Sequence, residues 1–207
     1  MATTVTTQHT RTFTDLVELP DDSPIYDILG GEFVVRNSPD VNHALARMEL
    51  TGFLYSAHEA GYGYVFSDTT AVALDYPARG EASEHVSHPD VFFVRQEREH
   101  IIGNRAIEGV PDLIVEILSP STRDEHARGG KLWRSYALHG VPHYWIVDNA
   151  MRTLAQYAVI GAPYMAGQYG PATVLRSGDT LTSPLFPTLS LPVARLFRNV
   201  RDRRPGR

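Results

Sequence analysis

Two carboxylates and one lysine carry the chemistry available to this chain. Asp90 opens an apolar run at 91–94. Glu116 lies inside another apolar run, in PDLIVEILSPSTRDEHARGGK (111–131), and Lys131 ends that stretch. Strand alternation puts Leu113, Val115 and Ile117 on one face, and Asp112, Ile114, Glu116 and Leu118 on the other. A strand apolar on both faces belongs in the middle of a covered sheet. A carboxylate at its centre costs free energy unless it is paired, hydrogen-bonded or bound to a cation. If the two runs are antiparallel neighbours, the start of one lies beside the end of the other, so Asp90 meets Glu116. Asp112 then falls roughly 13 Å from Glu116 at strand rise and is read as structural. Two carboxylates without matching cations repel, and a hard divalent cation such as Mg²⁺ or Mn²⁺ removes that penalty. Lys131, on the helix that packs back over the sheet, can reach the same place. Two carboxylates, a cation and an ammonium suit hydrolysis of a phosphodiester. The plainer reading is a Glu116 paired with a buried Arg or Lys.

The elements that must position these groups follow from turn and periodicity signals. A short helix is expected at 12–19, capped by Thr12 or Thr14. Gly30 and Gly31 between two apolar runs predict a tight hairpin. Ser38 and Pro39 start a long helix that runs to about Ala60, with Ala44, Leu45, Met48, Gly52 and Tyr55 as its apolar stripe. Strands are expected at 63–67, 71–74 and 91–94, with 77–87 a loop and 96–108 irregular. The strand with Glu116 ends at Ser119–Pro120–Ser121–Thr122. A helix at 128–138 then buries Leu132, Trp133, Tyr136 and Ala137. HYWIVD (143–148), 153–160 and two short segments within 164–175 complete the strands. The order predicts an α/β (α+β) domain with a mixed sheet flanked by helices. An N-terminal hairpin and a β-rich C-terminal part are additions to that core. Trp133, Tyr144 and Trp145 read as core residues rather than base-stacking platforms. His85 and His88, just before Asp90, read as loop bystanders.

Composition narrows the function classes. A net charge of −5 argues against a protein that coats nucleic acid, without excluding an enzyme with a local basic surface. No apolar run approaches the roughly 20 residues that span a bilayer. The N-terminus has neither the basic nor the apolar region of a signal peptide, so a cytoplasmic location is expected. Without cysteine, thiolate metal sites and disulfides are excluded. The expected organisation is a disordered lead-in at 1–12, one domain at 13–197 and a basic tail at 198–207. That tail is either a solvated end or a phosphate contact.

SHPDVFFV, PDLIVEILSPSTR and KLWRSYALHGVPHYWIVD, with YDILGGEFVV near the start and SPLFPTLSLPVARLF near the end, resemble the Uma family of "putative restriction endonucleases". That family is part of the PD-(D/E)xK nuclease superfamily. The resemblance implies a restriction-endonuclease-like core of αβββαβ type, catalytic roles for Asp90 and Glu116, and DNA as partner. Where the superfamily usually has its lysine, this chain has Leu118. Lys131 matches the lysine that the family carries on the next helix. Asp27 and Gly30 stand where the family tends to read Glu and Asp, and Gly130 where it often has an acidic residue. Glu32 and His43 match family positions as supporting ligands or water-positioning groups. Their plainer readings are a solvent-facing strand residue and a first-turn helix residue. The function expected is a metal-dependent DNA endonuclease. The alternative is a catalytically weak nuclease-fold protein that binds nucleic acid or regulates. Cutting both strands needs two sites, which makes a homodimer the expected assembly.

Overall fold

The computed structural model describes residues 10–36, 40–119, 123–126 and 129–201. The lead-in at 1–9, Ser38 and Pro39, the strand end at Pro120–Ser121–Thr122, Arg128, and 202–207 of the tail lie outside the described residues.

The chain begins with α1 (Phe13–Val17), β1 (Tyr26–Leu29), β2 (Phe33–Val35) and the long α2 (Val41–Glu59). β3 (Gly63–Ser67), β4 (Ala71–Ala73), α3 (Tyr76–Arg79), β5 (His85–Ser87) and β6 (Val91–Arg95) follow. After β7 (Ala106–Ile107) come β8 (Leu113–Ile117), α4 (Arg123–His126), α5 (Lys131–Leu138) and β9 (His143–Asp148). The rest is β10 (Thr153–Ile160), β11 (Gln168–Tyr169), β12 (Thr173–Leu175), β13 (Thr180–Thr182), β14 (Ser190–Pro192) and α6 (Val193–Leu196).

The main sheet runs β11-β10-β9-β8-β6-β3, with β12 also against β10. β8 pairs β9 in parallel and β6 antiparallel, so the sheet is mixed. The β8–β9 connection passes through α4 and α5, as a parallel pair requires. The two faces of β8 bury as their alternation dictates. Leu113, Val115 and Ile117 join a core with Ala46, Leu50, Phe53 and Leu54 of α2. Ile114 joins a second core with Leu132, Trp133, Tyr136 and Ala137 of α5. Phe186, fully buried, stands edge-on to Phe53, Phe93 and Trp145 in the first core. Each such burial is worth roughly 1.5–3 kcal/mol. Trp133, Tyr144 and Trp145 are buried, as their spacing predicts.

A second, smaller sheet runs β2-β1-β5-β4-β7. It sends Val72 and Leu74 into the core beneath α5. Its β1–β2 hairpin turns through Gly30 and Gly31 at φ 63° and 78°. Positive φ at both central positions is what a tight hairpin of this hand demands. A Cβ on Gly31 would also collide with Thr10.

The structure corrects four local expectations. The cap of α2 among the described residues is Asp40, whose carboxylate accepts from the His43 amide at 2.8 Å. The buried stripe of α2 is His43, Ala46, Leu50, Phe53, Leu54 and Ala57, whereas Met48 and Tyr55 are exposed. Both faces of this helix carry apolar residues, and the one with Leu50, Phe53 and Leu54 offers more area to bury than one with Ala44 and Gly52. The stretch expected to be a loop at 77–87 contains β5, which alternation could not reveal in three residues. The C-terminal segment packs on α2 as far as Arg201. Arg198 meets Glu49 at 2.7 Å, and Asn42 bonds the Arg201 backbone in both directions.

Candidate active site

The ladder between β6 and β8 pairs Val91 with Val115. One step further along it, Asp90 and Glu116 stand opposite each other, on the face that α5 covers. Both are nearly fully buried. Asp90 is held from three sides. Its Oδ2 accepts from the Ile117 amide at 2.7 Å and lies 2.9 Å from Nε2 of His43. Its Oδ1 accepts from Nη2 of Arg36 at 3.3 Å. Glu116 Oε1 accepts from the hydroxyl of Tyr136 on α5 at 2.7 Å. Asp27 on β1 is buried nearby and accepts from the amide of His88 at 2.8 Å, with His88 Nδ1 at 3.1 Å.

The electrostatics of these groups diverge. Burial works to raise the Asp90 carboxyl, but the hydrogen bond and charge of His43, the Ile117 amide and Arg36 hold it below the usual range. Glu116 is pushed well up, first by burial and then by the charge of Asp90, against Arg36 and the Tyr136 hydrogen bond. Burial acts to lower Arg36, yet Glu116, Asp27 and Asp90 together raise it. Two carboxyls in one pocket with their pKa values driven apart mark a chemically poised site. Among the described residues, two buried nitrogens there lack a hydrogen-bond partner: Nη1 of Arg36 and Nδ1 of His43. His126 of α4 is buried close by, with Nδ1 3.0 Å from the Tyr144 hydroxyl. Burial first of all drives its pKa down to about 4.

Of the residues singled out from sequence, the structure brings together Asp90, Glu116 and His43. Lys131 begins α5 on an exposed stripe with Arg134 and Leu138. Among the described residues, no hydrogen bond or ion pair joins it to either carboxylate. Glu32 is exposed in the hairpin turn and is likewise unconnected to them. Asp112 lies at the other end of β8, as expected. There it accepts from the Arg95 amide at 2.9 Å and Arg98 at 3.0 Å, and bonds the Tyr164 hydroxyl at 2.5 Å. Sequence reasoning missed Arg36, Tyr136 and His126 as members of the site, and left Asp27 without a role. Arg36 carried one available signal, a buried-cation partner for Glu116. Tyr136 gave none, because its spacing matched a core position.

A cleft of about 340 Å³ opens beyond the end of β8. Leu118 and Ser119 line it together with Arg123, Arg152 and Arg201. Arg123 is paired with Asp148 at 2.7 Å.

A solved structure described as "a putative nuclease belonging to DUF820 from Anabaena variabilis" shows the same fold at a TM-score of 0.68. It is 20% identical, over 90% of this chain and 97% of that one. The chain belongs to the Uma2 family, described as "Putative restriction endonuclease", which matches residues 13–194. No curated protein matches it.

Proposed function

We propose that this protein is a divalent-metal-dependent endonuclease that hydrolyses phosphodiester bonds of DNA, with its centre at Asp90 and Glu116. The observation that carries this reading is charge: Asp27, Asp90 and Glu116 are buried around one guanidinium, Arg36. That excess of negative charge suits a hard divalent cation. Asp27, Asp90 and Glu116 do not close into a three-ligand cage within 4.8 Å among the described residues. Mg²⁺ does not need one, since it takes one or two carboxylates and fills its octahedron with water and substrate phosphate. Asp90 and Glu116 would hold Mg²⁺ or Mn²⁺, which supplies Lewis-acid stabilisation of phosphate charge and a water acidic enough to attack near neutral pH.

The chain's own groups do the positioning. His43 and the Ile117 amide orient Asp90, and Tyr136 orients Glu116. Arg36 Nη1, a buried donor without a partner among the described residues, offers a hydrogen bond to a phosphate oxygen. The exposed ammonium of Lys131, at the start of α5, adds positive charge for an approaching backbone. The arginines of the cleft extend that positive surface, so DNA affinity falls steeply with salt and varies little with sequence.

A second reading, a nuclease-fold module that binds or regulates without cutting, is favoured by the exposed position of Lys131 and by Leu118 in the usual lysine position. Plasmid cleavage in Mg²⁺ or Mn²⁺ separates the two. Wild type should cut, Asp90→Asn and Glu116→Gln should not, and each should abolish Mn²⁺ binding by calorimetry. Absence of metal-dependent cleavage by wild type establishes the second reading instead.

A further inference from the structure

We propose a second metal site, for a borderline first-row ion such as Zn²⁺, formed by Asp75, His85 and His139 where the small sheet meets the end of α5. One nitrogen of each imidazole and one carboxylate oxygen all lie within 4.8 Å of one another. The three come from separate elements. Asp75 precedes α3, His85 begins β5 and His139 caps the C-terminus of α5.

Each ligand is already oriented. Asp75 accepts from the amides of Glu84 and His85, both at 3.2 Å, and from the Ser83 hydroxyl. His139 Nδ1 donates to the Ser135 carbonyl at 2.8 Å, which leaves Nε2 as the lone-pair nitrogen. A carbonyl behind a histidine is the usual support for a metal-ligating imidazole. His85 Nδ1 is buried, has no well-formed hydrogen bond among the described residues and lies 3.5 Å from Oδ2 of Asp75, its ion-pair partner. A tetrahedral ion with bonds of about 2.0–2.1 Å holds its ligands about 3.4 Å apart, so this spacing needs little adjustment. The two imidazole rings lie 4.5 Å apart. Charging both would set like charges against each other, whereas a shared metal uses both neutral. Arg79 competes for Asp75 at 3.5 Å, but it has Glu84 as another partner. Two histidines and one carboxylate select a zinc-like ion over Mg²⁺, which avoids imidazole. This donor set is distinct from Asp90 and Glu116. The ion would fasten the small sheet to α5, the helix that presents Tyr136 to Glu116.

The test uses the full chain with Zn²⁺ alone for thermal unfolding and Co²⁺ alone for visible absorption. Wild type should show the intense band of one tetrahedral Co²⁺, which an ion held by carboxylates and water at Asp90 and Glu116 does not give. Zn²⁺ at a hundredfold excess over Kd should raise its melting temperature by roughly 5–10 °C. Placed in the Asp90→Asn/Glu116→Gln background, which removes the first site, His139→Gln should lose both effects, and His85→Gln should do the same if the first variant folds poorly. The Asp90→Asn/Glu116→Gln double variant should keep both. No band in wild type, a band that survives in both histidine variants, or an effect lost in the carboxylate double variant would overturn the site.

Discussion

The amide of Ile117, the residue after Glu116, donates to Oδ2 of Asp90 at 2.7 Å. The two carboxylates are thereby tied to one another through a single peptide unit. Asp90 is fixed by β8 backbone rather than by side chains alone, so its position survives changes in the groups around it. Among the described residues Glu116 has no such anchor, and it depends on Tyr136 and on the balance of charge.

Glu116→Gln should therefore stabilise the metal-free protein at neutral pH. A carboxyl whose folded pKa is raised contributes stability below its unfolded value, and that contribution is lost as pH rises through the folded value. At pH 7 the buried Glu116 carboxyl opposes folding, whether it carries its charge into the core or takes up a proton to lose it, and Gln can accept from Tyr136 with neither cost. The melting temperature should rise by about 2–4 °C for each kcal/mol relieved, and the gap should close below about pH 4.5. With Mn²⁺ present the order should reverse, because only wild type gains from binding. A variant no more stable than wild type in metal-free buffer at pH 7 contradicts this.

Lys131→Met separates position from charge. Lys131 is exposed and makes no described contact with the carboxylates, so the variant should fold and bind Mn²⁺ as wild type does. If the ammonium meets the phosphate during cleavage, the plasmid rate should drop roughly 10²–10³-fold. An unchanged rate would assign that charge to Arg36.

His126 predicts an acid-limb signature. Its pKa is lowered to about 4, so its stabilising effect is present above the unfolded value near 6.5 and is lost as pH falls towards 4. The loss is on the order of 3 kcal/mol at most. His126→Gln keeps a partner for the Tyr144 hydroxyl and cannot charge. Denaturant titrations at pH 7 and pH 4.5 should show a smaller difference for the variant than for wild type.

Asp112→Asn should cost about 3 kcal/mol in a denaturant titration. It breaks a buried ion pair with Arg98 and weakens the bond to Tyr164. Cleavage per folded molecule should not change, because Asp112 lies at the opposite end of β8 from Glu116. A loss of rate that exceeds the loss of folded protein would give Asp112 a part in the chemistry.

Strong periodicity made the core legible in the sequence. The two faces of β8, the buried side of α5 and the Asp90–Glu116 encounter all follow from alternation and from antiparallel pairing. The hairpin followed from two glycines. What escaped was decided by tertiary packing. The buried side of α2 was ambiguous because both of its faces are partly apolar. β5 is too short to show alternation, so the second sheet could not be anticipated. Arg36 and Asp27 reach the site from that sheet, and no local pattern marks a residue delivered from another layer. Lys131 lies on the helix as expected, beside the side read as buried, but whether its stem folds over the sheet towards Glu116 depends on tertiary packing that no local pattern records.

The site draws Asp27, Arg36, His43, Asp90, Glu116 and Tyr136 from β1 to α5, and the parallel β8–β9 pair closes only after the crossover between them has formed. Contacts of such long sequence separation require large loops to close first, which slows folding and concentrates the constellation in the complete native state. A fragment that stops short of α5 lacks the Tyr136 hydroxyl and the cover over Glu116. On the function proposed above, a site whose groups meet only once the span from β1 to α5 has folded is inactive in the nascent chain until that point, so synthesis does not release a half-built blade.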